Sequence, residues 1–477
     1  MAKVLINNSY IVTGDQNNTI IPRGCIVIEQ GRIVAVTSGE FIDPSNFDLV
    51  IDGTNTLTMP GLINAHHHSY ANLVKGMNPT VPLEQWMLYT MALGGLLTPE
   101  DMYWNALAGA MEMLRSGTTS CMDHLAQGFE AIDGAMQAYR DIGLRVTMAP
   151  MISDKPYHAT LPIAEDALPP ELKNQGAPTA QELVATTVAL YEKWHTKGSR
   201  LHVAFGPSGP QRCTDELLKE CGNQARLLDT AIHTHVLESK AQARTAEFLY
   251  GKPMLFHLDE MGCLSERTSL VHSVWINDRE MKLAADRGAV VVHNPSSNLL
   301  IGSGIAPVIK CREMGVPVAL GTDGANVSGS LSMFDSMKLA GLIHNRPDLP
   351  QEAWLQPQDV LEMVASHAPK VLLEKDLGRI APGQKADLVL LNLENPSLTP
   401  LNNACWQLVY AEPTSAVETV LVQGEPVLLQ GKLMRISEKR ILEEAARRGE
   451  RIRNAFAEKH HDQVLRKAAM IRKACSF

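Results

Sequence analysis

The sequence has no CxxC pair, although it contains eight cysteines spread along 477 residues. Dispersed cysteines argue against a disulfide framework and against a structural zinc-thiolate site, so we expect reduced thiols. An uninterrupted apolar run of about 18 residues, long enough to span a bilayer, is also missing. The N-terminus has no charged segment followed by a long apolar one. We therefore expect a cytoplasmic protein with no membrane partner.

A surplus of positive charge is missing as well. The formal net charge is -9, the pI is near 6.0, and the lysines and arginines are scattered. This distribution provides no basic surface for nucleic acid, and we expect no nucleic-acid partner. With 45% hydrophobic and 20% charged residues, the composition is that of a globular protein with a large buried core.

Short apolar segments alternate with amphipathic helical patterns from Leu57 to about Ala325. This alternation is typical of βαβ units and a parallel sheet. Eight segments are interpreted as strands, ending near residues 64–68, 120–124, 146–151, 203–209, 231–235, 270–273, 290–297 and 318–325. Eight repeats predict an α/β fold, a (β/α)8 TIM barrel, whose active site lies at the C-terminal ends of the strands.

The barrel is predicted to span residues 60–370, and the segments before and after it have other sequence patterns. Residues 1–59 and 371–436 alternate apolar and polar positions, and we predict that they pair into a small β-sandwich. Residues 437–477 have the pattern of a charged amphipathic helix or helix pair, whose apolar stripe would dock on the barrel or on a partner subunit. We expect a homodimer or a higher homo-oligomer. The stretch 152–180 is long for a βα loop and is interpreted as a possible lid.

Histidines are concentrated at the predicted strand ends. The first barrel strand closes with three of them, and His66 and His68 share one face because side chains alternate along a strand. By the same alternation His67 and His233 point away, and we interpret both as structural. A lone histidine is commonly structural, but a shared position at one end of a barrel predicts a site. Four more histidines end later strands, namely His124, His235, His272 and His293.

His66, His68 and a third imidazole could bind one divalent metal ion. An oxygen ligand and an open position for water would complete a catalytic site. His235 in HTHVLES and Asp323 in GTDGA are the candidates for the third and fourth ligands. A histidine-rich set suits Zn²⁺ or Fe²⁺ better than Ca²⁺ or Mg²⁺.

Five motifs then resemble a known family: GLINAHHH, HTHVLES, LVHS, HNPSSNLLIGSG and GTDGA. Their order and spacing are similar to those of the amidohydrolase superfamily, in the branch of cytosine, guanine, adenosylhomocysteine and s-triazine aminohydrolases. The resemblance covers nearly the whole chain. It implies one Zn²⁺ or Fe²⁺ ion per chain, bound by His66, His68, His235 and Asp323.

The resemblance also implies catalytic roles. His272 would lie beside the reacting water and the substrate, and Glu238 would be a proton shuttle that protonates a ring nitrogen. Asp323 can take the proton of the water. Trp86 and Tyr89, in PLEQWMLYT after the first strand, lie where a loop would cover the pocket, and could stack on a planar substrate. The predicted substrate contacts are Trp86, Tyr89, His124 and Asn298.

The predicted function is hydrolytic deamination of a small pyrimidine, purine, pterin or s-triazine ring with release of ammonia. Removal of alkylamine or chloride from a triazine-like ring would use the same ligands and stays open. A binuclear hydrolase of cyclic amides would need a lysine in the fourth strand, but LHVAFGPSG has none. A non-catalytic scaffold would typically have lost ligands. The sequence has no match to the paired arginines expected for binding a nucleoside carboxylate or ribose, so a small, flat heterocycle is the expected substrate. ANVSGSLSM follows GTDG, whereas many deaminases of this branch have a Ser-Asn-rich run there.

Overall fold

The computed structural model describes residues 3–39, 42–161, 178–196 and 198–474. Five strands precede the barrel, and β1 pairs antiparallel with β2 and parallel with β4 and β5. Their bounds are β1 Val4–Val12, β2 Ile20–Glu29, β3 Arg32–Ser38, β4 Leu49–Asp52 and β5 Thr56–Pro60.

Parallel strands fill the eight predicted positions of the barrel, the fourth of which is split into two short segments. Their bounds are β6 Leu62–His67, β7 Thr118–Leu125, β8 Arg145–Ile152, β9 Leu201–Val203, β10 Gly206–Pro207, β11 Ile232–Val236, β12 Thr268–His272, β13 Val290–His293 and β14 Val318–Leu320. A parallel bridge between Phe205 and Ile232 joins the sheet formed by β6 to β10 to the sheet formed by β11 to β14. The amide of Asp323 donates to the carbonyl of His66 at 3.0 Å and closes the circle. The predicted TIM-barrel type is confirmed.

Helices follow the barrel strands and cover them. Several begin at a side-chain cap, such as Thr98, whose hydroxyl accepts from the amide of Asp101. Their bounds are α1 Leu83–Gly94, α2 Pro99–Arg115, α3 Phe129–Ile142, α4 Ala180–Trp194, α5 Asp215–Leu227, α6 Lys240–Tyr250, α7 Met254–Glu260, α8 Asp278–Arg287, α9 Pro295–Leu300, α10 Val308–Glu313, α11 Ala325–Ser328, α12 Met333–Ile343, α13 Pro357–Glu362, α14 Ala368–Val371 and α15 Ala404–Tyr410.

Two apolar layers lie on the two faces of the barrel strands. Inside the barrel, small residues such as Ala149, Ala204 and Ala231 pack with a few larger ones. Outside it, the alternate strand residues pack against the helices. In β13, for example, Val292 belongs to the inner layer and Val291 to the outer one. This alternation decides which side chains at the strand ends point into the barrel.

The chain after the barrel returns to the N-terminal strands. Its strands are β15 Leu388–Asn392, β16 Val417–Val422, β17 Glu425–Leu429 and β18 Lys432–Leu433. β15 pairs antiparallel with β5, Val389 opposite Met59, so that both ends of the chain contribute to one nine-stranded sheet. The two terminal segments therefore pair. Their arrangement as a two-layered sandwich, like the domain boundaries, stays a prediction.

A buried ion pair connects this sheet to the barrel. Arg145, the first residue of β8, donates from Nε and Nη2 to the two carboxylate oxygens of Asp387 at 3.0 Å each. The two side chains are only 1% and 3% exposed. Burial would lower the pKa of Arg145, but Asp387 and Glu374 raise it above its ordinary value. The pair is therefore charged and shielded from water.

Asp387→Asn is expected to lower the free energy of unfolding by about 3–5 kcal/mol, because it removes the hydrogen-bonded charge partner of the buried guanidinium and leaves only the more distant carboxylate of Glu374, at 3.8 Å. Urea denaturation followed by circular dichroism measures the loss. Asp259→Asn is the matched control, because Asp259 forms an equally two-pronged pair with Arg287 at 2.6 and 2.9 Å on an exposed surface. We expect a loss of about 0–1 kcal/mol there. Equal losses in the two variants would contradict the assigned role of the buried pair.

Two helices end the described chain, α16 Glu438–Lys459 and α17 His461–Ala474. Arg448 of α16 donates to Asp101 of α2 at 2.8 Å. The apolar stripe of the pair, including Ile452 and Val464, packs with Leu88 of α1. Among the described residues, no helix is both long and apolar enough to cross a membrane.

Candidate metal centre and active site

The four predicted ligands meet at the C-terminal end of the barrel. His66 and His68 come from the end of β6, His235 from β11, and Asp323 from the turn after β14. The Nε2 atoms of His68 and His235 are 3.3 Å apart. Asp323 Oδ1 lies 3.5 Å from His66 Nε2 and 3.4 Å from His68 Nε2.

The other ring nitrogen of each imidazole already has a partner. His66 Nδ1 lies 2.8 Å from His233 Nε2, and His235 Nδ1 lies 2.7 Å from the carbonyl oxygen of Ser208. His68 Nδ1 contacts the carbonyl oxygen of His124. Donation from Nδ1 to a carbonyl leaves the Nε2 lone pair free to bind a metal. His66 Nε2 is buried, and it has no hydrogen-bond partner among the described residues.

These distances fit a tetrahedral ion. Ligand atoms about 2.1 Å from a zinc ion in tetrahedral geometry are about 3.4 Å from one another. Burial lowers the pKa of His66 and of His235 well below its ordinary value, which keeps both rings in the neutral form that a metal requires. Burial also acts to raise the pKa of Asp323, but the neighbouring histidines outweigh it and the pKa is lowered. The donor set therefore suits a divalent metal ion.

The backbone at the site lies in an unusual conformation. His272 and Asp323 have φ angles of 72° and 66°, in the left-handed region that side chains with a Cβ rarely adopt. Such residues cost about 1–3 kcal/mol each and persist where the surrounding structure fixes them. Two hydrogen bonds help to fix Asp323 in this conformation. Its amide donates to the carbonyl of His66, and the amide of Gly324 donates to the Asp323 carboxylate at 2.7 Å.

Glu238 and His272 lie beside the four ligands. His272 Nδ1 is 2.8 Å from Asn298 Oδ1, and its Nε2 is 3.6 Å from Glu238 Oε2 and 3.8 Å from Asp323 Oδ2. Glu238 is 5% exposed. Burial, followed by the charges of Asp323 and Glu84, raises the pKa of Glu238 well above its ordinary value. Burial therefore favours the protonated acid of Glu238, which faces the reaction centre and can donate a proton there.

A cleft opens above these groups. Glu238, His272 and Asp323 line its inner end. Leu83, Trp86, Ile301 and Val327 supply an apolar wall. The polar residues of the remaining wall include Tyr70, Glu84, Tyr157, Gln211, Arg212 and Gln242.

The four predicted substrate contacts occupy different positions. Trp86 lines the cleft, whereas Tyr89 packs with Leu73 and other apolar residues beneath α1 and is not among the described lining residues. His124 lies inside the barrel, where its ring stacks on that of His235 at 4.7 Å. Asn298 accepts from His272 and therefore orients it. Neither of these two is among the described residues that line the cleft.

Alternation explains where the remaining histidines lie. His233, on the inner face of β11, contacts His66 and lies 2.5 Å from Ser269 Oγ. The prediction that His233 points away from the metal face is wrong, because residues 233 and 235 are two apart in a strand and share the inner face. Its Nε2 atom lies 2.8 Å from Nδ1 of the predicted ligand His66. His293 follows the outer face of β13 and contacts His344 of the covering helix at 3.3 Å. His67 is fully buried.

The polar wall of the cleft was not predicted from the sequence. Glu84 stands two residues before Trp86 in PLEQW, and Arg212 stands three residues after the fourth strand segment VAFGPSG. Their positions after strand ends were the available signal. Tyr157 and Thr160, from the start of the predicted lid at 152–180, also line the cleft. Residues 162–177 of that segment lie outside the described chain, and the lid stays a prediction.

Comparisons with known proteins agree with this architecture. A model of the amidohydrolase family matches residues 57–427. A 5'-deoxyadenosine deaminase of Methanothermobacter thermautotrophicus is 34% identical over 440 residues, which cover 92% of this chain and 97% of that protein. A 5-methylthioadenosine/S-adenosylhomocysteine deaminase of Caldanaerobacter subterraneus subsp. tengcongensis is 32% identical and covers 94% and 98% of the two chains.

Solved structures are similar over the same length. An adenosine deaminase of Xanthomonas campestris with bound zinc superposes with a TM-score of 0.85 at 26% identity, covering 94% of this chain and 98% of that chain. An atrazine chlorohydrolase of Arthrobacter aurescens TC1 complexed with zinc gives a TM-score of 0.83 at 23% identity, covering 93% and 99%. At 23% identity, the similarity to the chlorohydrolase shows a shared fold only.

This chain belongs to the amidohydrolase family. Within that family it is a metal-dependent hydrolase acting on carbon–nitrogen bonds other than peptide bonds, and its relatives make it a hydrolytic deaminase of a nitrogen heterocycle. The predicted resemblance and activity are confirmed.

Proposed function

We propose that the chain deaminates an adenine nucleoside or a closely related purine derivative, using one zinc ion. The observation that carries this proposal is the buried acid Glu238 beside His272 and the four convergent ligands. The names of the relatives, deaminases of 5'-deoxyadenosine and of methylthioadenosine and adenosylhomocysteine, support the choice of substrate. The zinc in the similar adenosine deaminase structure supports zinc over iron.

His66, His68, His235 and Asp323 would hold the ion. Three imidazoles and one carboxylate are donors that zinc takes in proteins, and a water would bind by expanding the coordination number to five. A bound divalent ion lowers the pKa of water, so that a nucleophile is available at neutral pH. His233 and Ser208 hold two of the imidazoles in the required orientation.

The side chains around the substrate ring then transfer the protons. Glu238 protonates a ring nitrogen next to the carbon that carries the amino group, which makes that carbon electrophilic. Asp323 accepts a proton from the attacking water. His272 donates from Nδ1 to Asn298 at 2.8 Å, so its Nε2 atom can accept a hydrogen bond from the attacking water and orient that water towards the same carbon. Glu238, left as a carboxylate, takes a proton from the hydroxyl group added to the ring carbon and delivers it to the amino group, which leaves as ammonia. Transfer of the proton held by Asp323 then restores the acid form of Glu238.

The wall of the cleft suits a flat ring with a polar substituent. Trp86 and Leu83 offer an apolar face on which a purine can pack. Glu84 faces the same space, and its Oε1 atom accepts from Ser239 at 2.6 Å. A carboxylate can accept hydrogen bonds from the hydroxyl groups of a ribose. A nucleoside therefore matches the cleft better than the small unsubstituted ring expected from the sequence.

A panel of matched rings tests this function. Adenosine, 5'-deoxyadenosine, their 6-alkylamino and 6-chloro analogues, and the equivalent s-triazines are offered to the metal-loaded enzyme, and the released ammonia, amine and chloride are measured. We expect ammonia from the 6-amino nucleosides to dominate, because Glu238 can protonate a leaving group that cannot depart as an amide ion. Faster turnover of the chloro rings, or turnover only of cyclic amides, would overturn the deaminase assignment and leave the fold unaffected.

A further inference from the structure

His66 differs from the other two predicted imidazole ligands in the partner of its Nδ1 atom. His68 and His235 each place Nδ1 against a backbone carbonyl oxygen, which can only accept a hydrogen bond. His66 places Nδ1 2.8 Å from Nε2 of His233, a second imidazole. A neutral imidazole donates from one nitrogen and accepts at the other, and either nitrogen can carry the proton. The contact with His233 therefore leaves open which nitrogen of His66 is protonated.

Two directions of hydrogen bonding can occur along this contact. In the first direction His66 donates from Nδ1 to His233 Nε2, and the lone pair of His66 Nε2 is free to bind a metal ion. In the second direction His233 donates from Nε2, and the proton of His66 lies on its own Nε2 atom, which faces Asp323 Oδ1 at 3.5 Å. The two directions carry the same charge and differ only in the position of the protons. The residue that fixes the proton of His233 therefore decides whether His66 can bind a metal.

Ser269 contacts the other ring nitrogen of His233. The two residues are register partners on the neighbouring parallel strands β11 and β12, and His233 Nδ1 lies 2.5 Å from Ser269 Oγ. The Ser269 hydroxyl donates to the carbonyl oxygen of Ile232 at 3.2 Å. Because its own proton is used there, Ser269 Oγ can accept from the Nδ1–H group of His233. His233 Nε2 is then the acceptor that the first direction requires.

Burial makes these contacts decisive. His66 and His233 are fully buried and Ser269 is 1% exposed, so bulk water cannot replace a lost partner. A buried N–H group without an acceptor is costly, whereas an unpaired lone pair is tolerated more often. Without the hydroxyl of Ser269, the first direction leaves the Nδ1–H group of His233 unpaired. The second direction leaves only a lone pair unpaired, because the carboxylate of Asp323 can accept from His66. Loss of the hydroxyl therefore favours the direction that blocks the metal.

We propose that Ser269 is a positioning residue of the metal centre, which acts through His233 to hold His66 in the tautomer that binds a divalent metal ion. The inference rests on the proposed function in taking His66 as a metal ligand. Ser269 itself is not among the described residues that line the cleft, and it contributes no atom to the predicted ligand set. Its effect should therefore appear in metal affinity, with the substrate unaffected.

The affinity of metal-free protein for zinc, measured by competition with a chromophoric chelator, tests this role. Ser269→Ala should weaken zinc binding by about 10- to 100-fold, the range for loss of a partner that orients a ligating histidine. Ser269→Thr keeps the hydroxyl and should bind zinc within about threefold of wild type. Saturating zinc should restore kcat in Ser269→Ala, because a bound ion imposes the first direction. Wild-type zinc affinity in Ser269→Ala would overturn the proposal.

Ser120→Ala is the matched control. It makes the same chemical change at a fully buried serine of the barrel strand β7, whose Oγ atom has no hydrogen-bond partner among the described residues. Zinc affinity should stay at the wild-type value. Equal weakening in the two alanine variants would make the loss a general effect of a smaller buried side chain and contradict the role of Ser269.

A double variant tests whether Ser269 acts through His233. His233→Leu breaks the connection between Ser269 and His66, so it should weaken zinc binding by itself. Adding Ser269→Ala to His233→Leu should then change the zinc affinity by less than about threefold, because the two residues act as one unit. A further loss as large as that of Ser269→Ala alone would show that Ser269 acts independently of His233, and the proposal would fail.

Zinc binding separates failure of this inference from failure of the deaminase assignment, because it needs no turnover. Selective weakening in Ser269→Ala supports the inference even if no purine releases ammonia. Unchanged zinc affinity in that variant contradicts the inference even in an active deaminase. Stoichiometric zinc in His66→Ala would overturn the proposed ligand set, and the inference with it.

Discussion

Glu238→Gln is expected to lower kcat by about 10²–10⁴-fold, the range of general acid–base catalysis. The amide keeps the size of the side chain but cannot give up or accept a proton during the reaction. Burial raises the pKa of Glu238 well above its ordinary value, which favours the protonated acid over the carboxylate, and activity should decline as the pH rises through that pKa. Stopped-flow or steady-state ammonia assays across pH measure both effects.

The metal content should not change in Glu238→Gln, because Glu238 is not one of the four convergent ligands. Glu247→Gln is the matched control: it makes the same chemical change at an exposed position of α6, and kcat should stay at the wild-type value. A near-normal kcat in Glu238→Gln, with the metal still bound, would return Glu238 to the role of a carboxylate at the start of a helix.

Removal of the metal should abolish turnover. After dialysis against a chelator, Zn²⁺ should restore activity, whereas Mg²⁺ and Ca²⁺ should not, because the donors are imidazoles and one carboxylate. Elemental analysis of protein purified without added metal should give one ion per chain. Two tightly held ions per chain, or full activity in metal-free protein, would rule out the mononuclear site.

Single substitutions connect that metal to the proposed ligands. His66→Ala removes a buried imidazole whose Nε2 atom has no other partner among the described residues, so we expect loss of both metal and activity. His461→Ala changes an exposed histidine at the start of α17 and should leave both unchanged. Retention of stoichiometric metal in His66→Ala would exclude His66 as a ligand.

The repeating pattern of the chain was sufficient to predict the barrel. Each short apolar segment has a length and a composition that suit a buried parallel strand, and all eight positions are occupied by strands. The split fourth position, β9 and β10, was not predicted. The pairing of β5 with β15 was predicted only from similar patterns at the two ends, which do not specify one sheet or two.

The sequence by itself determined the four convergent side chains, His66, His68, His235 and Asp323. Each stands at the end of a strand, and parallel strands in a barrel bring their C-terminal ends to the same place. Local pattern is therefore enough to predict that these residues meet.

Only the tertiary structure decided the wall of the cleft. Trp86 and Tyr89 belong to the same helix, yet Trp86 lines the cleft and Tyr89 packs away from it. Asn298 contacts His272, and Arg212 enters the cleft beside Tyr157. The connections after the barrel strands, including the helices α1 and α9, do not repeat from one unit to the next, so the direction of their side chains depends on packing between segments that are distant in sequence.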